Sequence, residues 1–123
     1  MKFIYLIPII ALIFACTKKG GGSSISVEQL RSRLGEDPNT TIIDVRTVGE
    51  FNGPLGHIAG ATSIPLSEIP ASINSLKDDD NATYYMICKS GARSAAAVKI
   101  LKSKGLNAIN VSGGMMAWSK LKK

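Results

Sequence analysis

The chain is poor in the residues from which metal centres and disulfide frameworks are built. Its 123 residues include two cysteines, one histidine and nine acidic residues, with no cluster at ligand spacing. The sequence therefore predicts no metal and no organic cofactor. The 15 basic residues give a net charge of +6 but form no stripe interleaved with aromatic residues. This charge indicates solvated helix faces and no nucleic-acid partner.

Only one long apolar run is present, FIYLIPIIALIF after Lys2. It is too short for an ordinary membrane span and typical of the hydrophobic region of a secretory signal. It ends in IFAC, with Ala15 directly before Cys16, a pattern that resembles the bacterial lipobox. The resemblance implies that residues 1–15 are a lipoprotein signal peptide and that Cys16 carries lipid after cleavage. An uncleaved anchor is the alternative, and both place the rest of the chain outside the cytoplasm, at the cell envelope and facing the periplasm.

The mature chain divides into a short tether and one domain. Residues 16–24 are polar and rich in glycine, which predicts a flexible tether that holds the domain off a membrane. From residue 25 to residue 123, short apolar runs alternate with stretches of helical spacing. The predicted strands are 41–45, 61–64, 84–87 and 108–111, and the predicted helices are 26–34, 67–76, 94–104 and 114–121, with a helical turn at 47–51. This alternation predicts an α/β fold, with a central, mainly parallel sheet and helices on both faces.

The segment CKSGARS raises the main chemical question of the sequence. Cys88 ends the strand at 84–87 and precedes a helix, which is where open α/β folds bind ligands. Gly91 allows backbone N–H groups to approach a ligand, and Lys89 and Arg93 add positive charge. Such surroundings favour a thiolate or an attached anion. A buried structural cysteine is the alternative, but the polar residues that follow favour an accessible nucleophile.

The spacing within this loop separates two kinds of chemistry. Tyrosine-type and cell-division phosphatases place five residues between cysteine and arginine, whereas four separate Cys88 from Arg93 here. The shorter loop resembles that of the rhodanese family, which carries a sulfane sulfur as a cysteine persulfide. Further rhodanese marks occur in order: Asp44-Val45-Arg46, Glu50-Phe51, Gly56-His57-Ile58-Ala59-Gly60-Ala61, Ile64-Pro65, Gly113-Gly114 and Trp118. The domain is identified as a single-domain rhodanese, although residues 52–55 make one loop longer than expected.

The resemblance implies a three-layer rhodanese-like domain and a sulfurtransferase. Cys88 would take sulfur from an anionic donor such as thiosulfate and pass it from a persulfide to cyanide, a small thiol or a protein acceptor. The residues expected to bind the sulfur are Lys89, Ser90, Gly91, Ala92 and Arg93, and Asp44, Arg46 and Ser94 are expected to support the site. Helix capping is the alternative role of Ser94, and a structural role is favoured for His57. The alternative function is a membrane-tethered persulfide carrier or redox partner module with little turnover of its own.

Overall fold

The computed structural model describes residues 24–122, so the predicted signal peptide, Cys16 and most of the predicted tether lie outside the described residues. The strands are β1 (Ser24–Ile25), β2 (Thr40–Asp44), β3 (Thr62–Ser63), β4 (Thr83–Ile87) and β5 (Asn107–Val111). The helices are α1 (Val27–Glu36), α2 (Val48–Phe51), α3 (Ile69–Leu76), α4 (Ala92–Ser103) and α5 (Gly114–Trp118), with a 3-10 turn at Leu66–Glu68. The strands form one sheet in the order β1-β5-β4-β2-β3, and all pairs are parallel. The predicted α/β fold is confirmed.

The central strand β4 divides the core into two layers. Because side chains alternate along a strand, Tyr84 and Met86 lie on one face while Tyr85 and Ile87 lie on the other. The first face packs against α3 and α4, and the second packs against α1 and α5. The sheet is thus covered on both sides. Strand β4 and its neighbours β2 and β5 end at the same edge of the sheet, and the loop that contains Cys88 lies at that edge.

Several element boundaries differ from the predictions, and three of the differences have a clear physical cause. Ser24, assigned to the tether, starts a two-residue strand in which Ile25 aligns with Val111 of β5. Helix α4 begins at Ala92, two residues early, because Gly91 with φ 116° acts as its N-cap. Helix α5 ends at Trp118, since the following residues tighten into turns. Within residues 24–122 no helix has both the length and the apolar character needed to cross a membrane.

Candidate active site

Cys88 is the residue that directly follows β4, and it is buried, with 1% of its surface exposed. The expectation of a readily accessible cysteine is therefore wrong for this conformation. The alternation of β4 explains the burial, because it places Cys88 with Tyr84 and Met86 on the face that α3 and α4 cover. The thiol nevertheless faces polar groups of its own loop.

The Cys88 sulfur receives a set of short contacts from the residues that follow it. Gly91 N–H donates to Sγ at 3.1 Å and Ser94 N–H donates at 3.4 Å, while Ser94 Oγ lies 3.3 Å away. Burial raises the pKa of the Cys88 thiol, but the hydrogen bonds from Ser94, Gly91 and Ser90 outweigh it and hold the pKa below its ordinary value. The loop therefore favours a thiolate, the nucleophilic form of cysteine.

The backbone N–H groups that the sequence placed near the sulfur contribute to this lowered pKa, whereas the charges of Lys89 and Arg93 are not among its largest causes. Lys89 is exposed to solvent, and the Arg93 guanidinium is paired with Glu50, although it also has a Coulombic interaction with Cys88. Hydrogen bonds are the largest causes that lower the pKa of Cys88. Two of the donors, the N–H groups of Gly91 and Ser94, belong to the N-cap and first turn of α4, where backbone N–H groups have no intrahelical acceptor.

Helix α5 fixes the orientation of the first two peptides in the loop. Met115 N–H donates to the Cys88 carbonyl at 2.8 Å, and Met116 N–H donates to the Lys89 carbonyl at 3.0 Å. In a planar trans peptide the C=O and N–H groups point in opposite directions. Anchoring these carbonyls on α5 therefore turns the N–H of Ser90 away from α5, and this N–H is among the groups that lower the pKa of Cys88.

The Gly113-Gly114 pair makes this close approach possible. A Cβ on Gly114 would lie 2.5 Å from the carbonyl oxygens of both Cys88 and Lys89, and Gly114 has φ +56°. No side chain fits between α5 and the loop at this distance. The sequence showed the glycine pair but gave no indication of the surface against which it packs.

Strand β5 orients the middle of the loop through a residue that sequence reasoning missed. Asn110 Nδ2 donates to the Gly91 carbonyl at 3.3 Å, and Ser94 Oγ lies 3.2 Å from the same oxygen. The Ser94 hydroxyl has one hydrogen, so it can serve either that carbonyl or a Cys88 thiolate. Ser94 is thus a buried sulfur contact at the third position of α4, and its alternative assignment as the helix cap is wrong.

Arg93 is held in place by a carboxylate from the other side of the loop. Its Nη1 and Nη2 donate to Glu50 Oε1 and Oε2 at 2.8 and 2.9 Å, a bidentate pair. Glu50 also accepts from Thr47 N–H at 3.0 Å, as part of the capping box of α2. The hydrogen bond from Arg93, followed by that from Thr47, lowers the pKa of Glu50 to about 2. The sequence placed Glu50 in a motif but did not connect it with Arg93.

Asp44 and Arg46, both expected to support the site, form an ion pair with each other. Both are buried, and Arg46 Nε and Nη2 donate to the Asp44 carboxylate at 2.9 and 2.8 Å. Arg46 Nη2 also donates to the Gly56 carbonyl at 2.7 Å. The pair therefore ties the end of β2 to the loop that follows α2.

His57 has contacts consistent with the structural role favoured from the sequence. Its ring stacks on Phe51, with centroids 3.7 Å apart and planes inclined by 8°. Its Nδ1 lies 2.9 Å from the Phe51 carbonyl, which requires a hydrogen on that nitrogen. Both contacts stabilise the loop that follows α2.

The fold and the site together define a class of protein: a doubly covered parallel α/β domain with a cysteine cradled by N–H groups at a helix N-terminus. The sequence model of one family, described as the rhodanese-like domain, matches residues 26–121. The chain belongs to the rhodanese-like domain family.

Relatives of this chain support the same family. "Putative sulfurtransferase YtwF" of Bacillus subtilis (strain 168) is 37% identical over 94 residues, which cover 76% of this chain and 87% of that protein. "Putative sulfur carrier protein YrkF" of the same strain is 36% identical over 96 residues, but these cover only 50% of its length, against 77% of this chain. A solved rhodanese-like domain protein from Staphylococcus aureus is 41% identical with a TM-score of 0.71, covering 78% of this chain and 90% of that one.

Proposed function

We propose that the domain is a sulfurtransferase that uses Cys88 as its nucleophile. The Cys88 thiolate attacks the outer sulfur of a donor such as thiosulfate. A bond forms between Sγ and that sulfur, the sulfur–sulfur bond of thiosulfate breaks, and its electron pair leaves with sulfite. A thiophilic acceptor then attacks the outer sulfur of the persulfide and returns the electron pair to Cys88 Sγ. No net oxidation occurs at Cys88, and ping-pong kinetics are expected.

The observation that carries this proposal is the ring of donors around Cys88 Sγ. Gly91 N–H and Ser94 N–H lie 3.1 and 3.4 Å from the sulfur, and the pKa of the thiol is lowered. These groups stabilise negative charge on sulfur without a charged side chain in contact with it. In the persulfide the charge moves to the outer sulfur. Ala92 and Arg93 begin α4, so their N–H groups are suited to bind that sulfur.

The direct test is steady-state sulfur transfer from thiosulfate to cyanide. The wild-type domain should form thiocyanate, whereas Cys88→Ser should form none and keep the unfolding midpoint of the wild type, because little volume changes. Ser90→Ala is the matched control, since Ser90 contributes its backbone N–H and keeps it after substitution. Thiocyanate formation by Cys88→Ser, or none by the wild type, would refute the proposal.

A persulfide carrier is the second candidate function. Cys88 is the only free cysteine among residues 24–122, so no second thiol of the described domain can release the sulfur. The name of YrkF points in the same direction. A carrier should accept one sulfur from a donor and then turn over slowly with cyanide. Multiple turnovers at rates of an ordinary enzyme, on the order of 1 per second or faster, would favour the sulfurtransferase.

We also propose that the chain is exported and held at the cell envelope by lipid on Cys16. The proposal rests on the apolar run that ends in IFAC. Expressed in a bacterium that processes lipoproteins, the chain should enter the detergent phase and lose residues 1–15. Cys16→Ala should abolish the lipid without changing sulfur transfer by the purified domain. A protein that keeps residues 1–15 and stays in the aqueous phase would contradict the proposal.

A further inference from the structure

The longer loop noted in the sequence forms one wall of a cavity beside the Cys88 loop. Pro54 and Leu55 line a cavity of about 380 Å³ together with Lys89 and Met116. Lys89 directly follows Cys88, and Met116 N–H donates to the Lys89 carbonyl. The cavity therefore adjoins the loop that begins at Cys88. Its volume lies within the range of sites for small organic ligands.

This wall is held by hydrogen bonds along its whole length. Asn52 N–H donates to Val48 O at 3.1 Å, Gly53 N–H donates to Glu50 O at 3.0 Å, and Gly56 N–H donates to Gly53 O at 2.9 Å. The Gly56 carbonyl is in turn bound by the buried guanidinium of Arg46. A loop fixed in this way can serve as a pre-formed surface, so a ligand would not bear the cost of ordering it.

The charges that line the cavity leave one uncompensated cation. Arg46 is paired with Asp44, and Glu50 is paired with Arg93. Lys89 is exposed, and residues 24–122 provide it with no acidic partner. The rest of the lining is apolar and consists of Pro54, Leu55 and Met116, which is 42% exposed despite its size. The cavity thus offers one positive charge beside an apolar surface.

We propose that this cavity is the acceptor site and that it binds a small thiol with an apolar chain and one acidic group. The inference rests on the proposed sulfur transfer through Cys88. The acceptor thiolate attacks the outer sulfur of the persulfide, a new sulfur–sulfur bond forms on the acceptor, and the Cys88 sulfur recovers its electron pair. The acid group contacts Lys89, and the methylene chain packs on Leu55 and Met116.

The test uses protein preloaded with sulfur on Cys88 and four acceptors that vary chain and charge independently. The acceptors are 6-mercaptohexanoate, 6-mercaptohexanol, 3-mercaptopropionate and 2-mercaptoethanol, with rate constants for loss of the persulfide expressed per thiolate. The longer chain should raise the rate constant about tenfold. The acid group should add up to about fivefold, because an exposed ion pair is weak. Equal rate constants for all four thiols would overturn the inference.

Two variants locate these preferences in the cavity. Met116→Gln should remove most of the advantage of the six-carbon thiols, and it keeps the backbone N–H that binds the Lys89 carbonyl. Val48→Thr is its control, because Val48 is another large apolar residue that is exposed, 57% accessible, and it does not line the cavity. Lys89→Gln should bring the ratio of 6-mercaptohexanoate to 6-mercaptohexanol close to one.

The outcomes separate this inference from the function on which it rests. Protein that never acquires sulfur on Cys88 would refute the proposed function and the acceptor site together. Protein that loads sulfur and transfers it to cyanide, but loses chain preference equally in Met116→Gln and Val48→Thr, would overturn the acceptor site alone.

Discussion

Replacing Gly114 with alanine should separate helix α5 from the Cys88 loop. The added Cβ would lie 2.5 Å from the carbonyl oxygens of Cys88 and Lys89, both backbone atoms that cannot rotate away. The hydrogen bonds from Met115 and Met116 to these same carbonyls must lengthen or break. Gly105→Ala is the matched control, because Gly105 has φ +85° but no atom within 4 Å of the added Cβ.

The difference between the two variants can be estimated from separate contributions. Alanine at a positive φ costs about 1–2 kcal/mol at either position. At Gly114 alone, two hydrogen bonds worth about 1 kcal/mol each are weakened, and overpacking adds about 1–3 kcal/mol. Gly114→Ala should therefore be less stable than Gly105→Ala by about 3 kcal/mol, taking the lower part of the combined range. For an m-value of about 2 kcal/mol/M, the midpoint of urea unfolding should be lower by about 1.5 M.

Sulfur transfer provides the second measurement on the same pair. The carbonyls anchored by α5 orient the N–H groups that face the sulfur, and a displacement of about 1 Å can cost on the order of 100-fold in rate. Folded Gly114→Ala should lose activity on this scale, while Gly105→Ala, at the far end of α4, should keep that of the wild type. Equal unfolding midpoints and equal activities for the two variants would refute this account of the glycine pair.

Three further variants test the loop itself. Ser94→Ala removes a hydrogen bond that lowers the pKa of Cys88. Since the thiolate is the reactive form, the pH–rate profile for thiosulfate should shift to higher pH. An unchanged profile would contradict the role of Ser94 in lowering this pKa. Glu50→Gln should lower kcat/KM roughly three- to tenfold by releasing Arg93. The pH–rate profile should not move, because a pKa of about 2 keeps Glu50 ionised throughout the measured range. Wild-type kinetics of this variant would show that Arg93 needs no partner. Insertion of one glycine after Gly91 should lower sulfur transfer on the order of 100-fold, and full activity would show that loop size does not select the reaction.

Most of the fold could be predicted because its signals are local. The apolar run before Cys88 and the helical spacing after it sufficed to predict β4 and α4, and the helix predicted at 26–34 corresponds to α1, which begins after a capping box at Ser26. Strand β1 was missed because two residues carry no pattern of their own, and only pairing with β5 makes Ser24 and Ile25 a strand.

The sequence was enough to name Cys88, its loop and the supporting residues Asp44, Arg46 and Ser94 as candidates, but not to connect Glu50 and Asn110 with the loop. Glu50 and Arg93 are 43 positions apart, and Asn110 reaches Gly91 from another strand, so no local spacing could connect them. The start of α4 was misplaced because Ser94 matches the usual capping preference, whereas Gly91 caps the helix through its backbone conformation. The assignment of residues 89–93 to sulfur binding stays a prediction.

The most direct test of the central claim is mass spectrometry of the domain after incubation with thiosulfate. The account predicts one additional sulfur atom on the peptide that contains Cys88, removed by cyanide and absent from Cys88→Ser. Thiosulfate consumed by a protein whose Cys88 peptide never gains sulfur would contradict it.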